Sequence, residues 1–148
     1  MNSVKTQLLA EIFIKAPIEK VWDLWTSPEH IVNWNNISDE WHTPGAENDL
    51  RPGGRLFLRM EKKDNSAGFD YECFYDEIVA HQKISHTGSD NRKTTILFFA
   101  SEDGVKLIET FDPESKTPLA IQQEFCQSIL NKFKSYVENY KFWIQQLS

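Results

Sequence analysis

The sequence predicts an α+β protein in which an antiparallel sheet is covered by one long C-terminal helix. Three observations carry this reading. The first segment alternates apolar and polar residues, a series of alternating segments between Arg55 and Phe111 is joined by short turn signals, and apolar residues after Pro118 recur in steps of three and four. Strands that succeed one another through short turns pair antiparallel, and a helix with one apolar stripe must bury it against another layer.

In the first segment Val4, Thr6, Leu8, Ala10, Ile12 and Ile14 share one parity while Lys5, Gln7, Glu11 and Lys15 share the other, which is a strand with one buried face. Pro17 stops that strand and can open a helix, since its fixed φ suits the first turn and its missing N–H costs nothing there. Val21, Trp22, Leu24 and Trp25 give this helix its apolar face. Ser27, Pro28 and Glu29 read as an N-cap, an N1 proline and a first-turn acid, so a second short helix is expected through Ile31, Val32 and Trp34.

From Asn35 to Gly54 the pattern gives way to polar residues, Pro44, Gly45, Pro52 and the Gly53-Gly54 pair, an irregular or edge-strand stretch ending in a turn. Arg55 to Lys63 alternates again, with Leu56, Leu58 and Met60 opposite Arg59 and Glu61, and Asp64 to Gly68 forms a polar loop. Further strands are expected at Phe69 to Val79, Lys83 to Thr87 and Thr94 to Ser101, with a turn at Gly88 to Asn91. Asp103-Gly104 is a hairpin signal into Val105 to Phe111. Pro118 then opens the long helix, whose stripe runs through Ile121, Phe125, Ile129, Phe133, Tyr136, Tyr140 and Ile144.

Composition bounds the function. The 148 residues suit one domain, taken as 1–148, and no repeat or linker divides them. A net charge of -6 argues against a nucleic-acid partner, which needs a basic face to displace counterions from phosphates. No run of about 18 apolar residues is present to span a membrane, and the N-terminus lacks the continuous apolar core of a secretory signal, so a cytoplasmic location is expected. Cys73 and Cys126 are expected to be reduced and buried. Aromatic residues make up 13% of the chain, which calls for a deep core, a lined cavity or a homodimer interface.

Three stretches carry a family resemblance. IKAPIEKVWDLWTSPEHIVNW at Ile14 to Trp34 resembles the opening of homologues of the heat shock protein 90 ATPase activator, members of the START-like (SRPBCC, helix-grip) superfamily. DLRPGGRLFLRM at Asp49 to Met60 is similar to the family's Arg-Pro-Gly-Gly turn entering a strand, where only glycine avoids strain. IETFDPESKTPLAIQQEFCQSILNKFKSYVE at Ile108 to Glu138 resembles the last strand, linker and closing helix. The resemblance implies a helix-grip fold: a curved antiparallel sheet wrapped around the long C-terminal helix, two short helices after the first strand, and a cavity between helix and sheet. Two departures stand out. Glu124-Phe125 stands where many relatives have Gly-Trp, and the asparagine-rich stretch Asn33 to Asn36 departs from the Trp-Trp common after the second short helix.

Sequence motifs point to no chemistry of their own. His30, His42, His81 and His86 are scattered without zinc-ligand spacing, no Ser or Cys sits in a nucleophile elbow, and Arg-Pro-Gly-Gly lacks the Lys-Ser or Lys-Thr of a nucleotide-binding loop. No metal or cofactor is expected, and the lack of a catalytic motif weighs against an enzyme. Glu109 shares a parity with Leu107 and Phe111, so it is a functional carboxyl on an apolar face, one half of a cross-strand ion pair with Lys or Arg, or a residue turned outward by a bulge. Arg59, Asp70, Glu72 and His86 lie on strands that can border a cavity, although outer-face positions suit them equally.

Trp25, Trp34, Phe57, Tyr71, Phe98, Phe125 and Ile129 fit a ligand-cavity lining as well as they fit a core. With His86 and Glu109 they form the expected ligand site. The first functional expectation is binding of a small apolar or amphipathic molecule. A cyclase or dehydratase of the polyketide kind, with Glu109 or His86 as general acid or base, is the second. A co-chaperone-like module is the third, since the resemblance also covers domains that bind heat shock protein 90. A stand-alone chain of this length looks like the bacterial type, for which a chaperone partner is unsupported.

Overall fold

The computed structural model describes residues 6–141. Its elements in chain order are β1 (Leu8–Ile14), α1 (Ile18–Thr26), α2 (Pro28–Trp34), β2 (Trp41–Asn48), β3 (Arg55–Lys62), β4 (Gly68–Val79), β5 (Lys83–Gly88), β6 (Lys93–Ser101), β7 (Gly104–Phe111) and α3 (Leu119–Asn139). The strands form one antiparallel sheet in the order β1-β7-β6-β5-β4-β3-β2, curled around α3 as the helix-grip fold requires. Val4 and Ile144, assigned above to the first strand and the helix stripe, lie outside the described residues.

Each alternating segment turns its apolar parity toward α3. Ala10 and Ile14 of β1, Leu58 and Met60 of β3, Ile84 of β5, Ile96 and Phe98 of β6, and Val105 and Leu107 of β7 are all buried. Arg59 takes the opposite face and pairs with Glu61 and Asp70, and Arg55 pairs with Glu72. Arg59, Asp70 and Glu72 therefore belong to the outer surface of the sheet. Curvature comes from two register shifts, at His42/Gly45 between β2 and β3 and at Tyr75/Glu77 between β4 and β5.

The stretch from Asn35 to Gly54 contains the edge strand β2, and Pro44 sits in its bulge, where no ladder hydrogen bond is lost. Gly53 has φ +81, and a Cβ on Gly54 would lie 2.0 Å from the Asp49 carbonyl oxygen. This turn is pinned to β4 by Gly53 N–H donating to Tyr75 O (2.8 Å) and Tyr75 N–H donating to Gly54 O (2.9 Å). The glycine pair thus fixes Tyr75, an inward-facing side chain.

Two local expectations need correction. Ser27 stands at the start of α2, but its hydroxyl bonds the Asp23 carboxylate (3.1 Å) rather than a backbone N–H of the first turn. The inward stripe of α3 is also less apolar at its start than expected: Gln122, Leu130, Phe133 and Val137 are buried, whereas Ile121 and Phe125 are exposed. Gln122 is tolerated inside because its amide donates to Glu114 O (3.0 Å) and Thr117 O (2.7 Å) and its carbonyl accepts from Glu114 N–H (2.9 Å).

Helix α3 is tied to both sides of the sheet opening. Gln123, Gln127 (3.0 Å) and Lys134 (2.7 Å) donate to the carbonyls of Leu9, Glu11 and Phe13 on β1. Across from them, His30 Nδ1 meets the Tyr136 hydroxyl at 2.6 Å, and Ser128 Oγ donates to Ile37 O (3.0 Å).

Candidate functional site

The space between α3 and the sheet is filled at one end and hollow at the other. At the filled end Trp25 stacks on Trp34 (4.8 Å between ring centres), held by Trp34 Nε1–H donating to Leu24 O (2.9 Å). Phe133 meets both rings edge-on at 4.9 and 4.7 Å, and Phe98 packs against Trp22 and Trp25. Beyond this cluster, toward the start of α3, lies a cavity of about 360 Å³. Its floor is the Trp25–Trp34 stack, its roof is Gln122, Phe125, Cys126 and Ile129 of α3, and its walls are the inward residues of β3 to β7.

Of the residues expected from sequence, Trp25, Trp34, Tyr71, His86, Glu109, Phe125 and Ile129 lie on this cavity. Phe57 and Phe98 do not. Phe57 has the parity opposite to Leu58 and lies on the outer face, where the Arg55 guanidinium covers its ring at 4.5 Å. Phe98 has the inward parity but is 4% exposed, its ring used up by the tryptophans that close the filled end.

The polar groups of the wall form a short inventory. Glu109 on β7 faces the cavity with the Cys126 thiol of α3 as its hydrogen-bond partner, and burial pushes its carboxyl up to about 7 despite that bond. Its residual exposure is onto the cavity, which explains how a half-buried side chain is so strongly desolvated. The thiol is raised in turn, first by burial and then by Glu109, so Cys126 remains a protonated donor. Among the described residues Glu109 has no ion pair, which removes the cross-strand partner that sequence left open.

His86 on β5 is 7% exposed, and Nδ1 is fully occluded with no hydrogen-bond partner. Burial drives its imidazole down to about 4, so the ring is neutral at physiological pH. Other wall groups are already engaged. Tyr75 donates to Asn48 Oδ1 (2.5 Å), the Tyr71 hydroxyl bonds the Cys73 thiol, and Arg92 Nε–H donates to Asp90 (2.5 Å). Cys73 is buried and raised to about 12 by burial; Cys126 is only half-buried because it opens onto the cavity, a correction to the expectation for that thiol.

Sequence reasoning passed over Cys126, Tyr75, Asp90 and Arg92. A signal existed for Cys126, which lies three residues before Ile129 and four after Gln122 on one helix face. Tyr75 was readable as an even-numbered step from Tyr71 along β4, whereas Asp90 and Arg92 come from a turn that only the folded sheet brings over the cavity. No group of residues placed to hold a metal ion occurs among the described residues.

The sequence profile of the family described as Activator of Hsp90 ATPase homolog 1-like protein matches residues 15–138. The chain belongs to that family. An AHSA1-like protein from Aeromonas hydrophila is 35% identical and superposes with a TM-score of 0.86 over 96% of this chain and 100% of its own. A protein from Cytophaga hutchinsonii is 42% identical, with a TM-score of 0.79 over 90% of this chain and 93% of its own. A Chromobacterium violaceum protein at 19% identity and TM-score 0.82, covering 90% of this chain and 98% of its own, shares the fold. No curated protein matches the chain. Family and fold are those of a ligand-binding or co-chaperone-like module of the START-like superfamily. Among the described residues no helix is long and apolar enough to cross a membrane.

Proposed function

We propose that this protein binds a small apolar or amphipathic molecule in the cavity between α3 and the sheet. The observation that carries this reading is the hollow itself: about 360 Å³ lined largely by aromatic and aliphatic side chains, in a fold whose other end is filled by the cluster of Trp25, Trp34, Phe98 and Phe133. Apolar burial would supply the affinity, at about 2.5 kcal/mol for each 100 Å² of ligand surface removed from water. The polar groups would orient the guest rather than hold it.

The test has two arms. Native mass spectrometry of gently purified protein, compared with the same sample after denaturation and organic extraction, is expected to show a reproducible co-purifying mass. The neutral fluorophore N-phenyl-1-naphthylamine is expected to bind saturably at one per chain and to be displaced when Ile129→Trp fills the roof. A bare chain in the first arm together with no saturable fluorescence in the second would overturn the reading.

Glu109 favours a second reading, an enzyme of the cyclase or dehydratase kind acting in the same cavity. A carboxyl held near 7 is suited to give or take a proton at neutral pH. Turnover of a bound compound that survives Glu109→Gln unchanged would remove this reading.

A further inference from the structure

The outer face of the sheet is finished differently on its two halves. On β3 and β4 the outward Phe57 lies under the Arg55 guanidinium, and Arg55 and Arg59 are tied into ion pairs with Glu72, Glu61 and Asp70. On β1, β7 and β6 the outward parity is apolar and open. Leu9, Phe13 and Phe99 are 48%, 40% and 50% exposed, with Leu97 and Ile108 half-buried between them. Register gathers these five into one patch: Phe13 and Phe99 flank Lys106 in one cross-strand row, and Glu11 and Leu97 flank Ile108 in the next. None of the five belongs to the core cluster or to the residues packed against it. Large apolar side chains held open in one contiguous patch mark a surface that meets something.

The charges on the patch narrow what that is. With 16 basic and 22 acidic residues the chain has a net charge of -6, so its surface as a whole repels a second copy. This face is balanced. Its cation is Lys106 and its anion Glu11, 3.8 Å apart, and Lys83 at its margin pairs with Glu77 at 2.9 Å. A nucleic acid or an anionic membrane surface would need a surplus of cations here, and a strongly charged protein a surplus of one sign. What complements the patch is a surface equally apolar that carries one charge of each sign, and the patch itself is such a surface. A two-fold axis through it can set Lys106 of each copy against Glu11 of the other while the apolar side chains meet between them. Growth by strand addition is closed off at β1, whose carbonyls at Leu9, Glu11 and Phe13 are taken by α3. The face of three strands, with the seven residues of β1 setting its length, is about 23 Å long and about 14 Å wide. That footprint suits a small, reversible interface rather than an obligate one.

We infer that the protein forms a reversible, two-fold symmetric homodimer through the outer faces of β1, β7 and β6. The inference goes beyond the ligand-binding reading and does not depend on it, since the patch lies on the opposite side of the sheet from the cavity.

Sedimentation velocity of the full chain from about 2 to about 200 µM is expected to show a monomer–dimer equilibrium with a Kd of about 10–100 µM. Phe99→Lys, which removes the most exposed ring and adds a second cation beside Lys106, is expected to weaken the dimer at least about tenfold. Lys106→Glu is expected to weaken it about fivefold, and adding Glu11→Lys to that variant to restore it to within about twofold, because a two-fold axis reverses both cross-copy contacts at once. All three positions are exposed, and far-UV circular dichroism checks that each variant keeps its fold. A monomer throughout the concentration range would overturn the inference, and the unaltered chain decides this even if a variant does not fold. A dimer that neither Phe99→Lys nor Lys106→Glu weakens would overturn it as well, by placing the contact elsewhere. A monomer that dimerises once Phe142 and Trp143 are both changed to Ser would overturn it by assigning the patch to the chain's own residues 142–148.

Discussion

Beneath the C-terminal half of α3, Leu130, Phe133 and Val137 are fully buried and Phe133 presses on the Trp25–Trp34 stack, whereas beneath its N-terminal half a cavity is left against the same sheet. One helix and one sheet thus support two kinds of interior. The filled end receives the large rings of Trp22, Trp25, Trp34 and Phe98 from three elements, while the hollow end is roofed by Gln122, Phe125, Cys126 and Ile129, of which Phe125 turns partly outward. Stability is concentrated at one end so that the other can hold unsatisfied polar groups.

The largest effect should come from emptying the filled end. Phe133→Ala is expected to cost about 3–5 kcal/mol, because the ring is fully buried and its removal leaves a void between two tryptophans. Urea denaturation followed by Trp fluorescence measures this, and a loss below about 1 kcal/mol would erase the distinction between the two ends.

The next effect is a pH dependence belonging to the hollow end. Glu109 is raised from 4.5 to about 7 in the folded chain, so its contribution to stability is fully present below pH 4.5 and is lost as pH rises through 7. His86 is lowered from 6.5 to about 4, so its contribution is present above pH 6.5 and is lost as pH falls through 4. The two slopes oppose and largely cancel between pH 4.5 and 6.5. Glu109→Gln should therefore leave a chain whose stability rises with pH across that window, and His86→Leu one whose stability falls, each by at most about 3 kcal/mol. Denaturation midpoints at half-unit pH steps would show parallel curves if neither group is buried as described.

The smallest effect is expected at the mouth of the cavity. Phe125 is 43% exposed, so Phe125→Ala should change stability by less than about 1 kcal/mol while altering the affinity for N-phenyl-1-naphthylamine. A large stability loss with unchanged binding would mean that the residue serves the core.

The sheet was legible because its strands obey alternation and its turns carry strong signals. Leu56, Leu58 and Met60 against Arg59 and Glu61 fix the faces of β3 by alternation alone. Parity alone also argued against Phe57 as a lining residue, since it falls opposite Leu56 and Leu58. Phe98 was harder, because its parity is inward and only Trp22 and Trp25 of α1, distant in sequence, decide that it fills rather than lines. The stripe of α3 fails at Ile121, which is exposed, and is only half met at Phe125, which reaches the cavity but is partly exposed, because apolar residues mark a buried helix face only where something packs against them. Over a cavity that rule lapses, and Gln122 can turn inward once the backbone at Glu114 and Thr117 meets its amide. Glu109 was visible as an acid on an apolar face, but its partner Cys126 is a contact between strand and helix that no local pattern encodes.

The side chains that α3 sends to β1 have a consequence beyond holding the helix in place. An outermost strand ordinarily offers a row of free carbonyls on which a foreign strand can grow, the first step toward polymerisation. Gln123, Gln127 and Lys134 occupy those of Leu9, Glu11 and Phe13, and at the opposite margin Pro44 and a bulge interrupt β2. The closing helix therefore acts as a seal against strand-by-strand growth, and any opening wide enough to lift it off β1 would expose an adhesive edge along with the cavity.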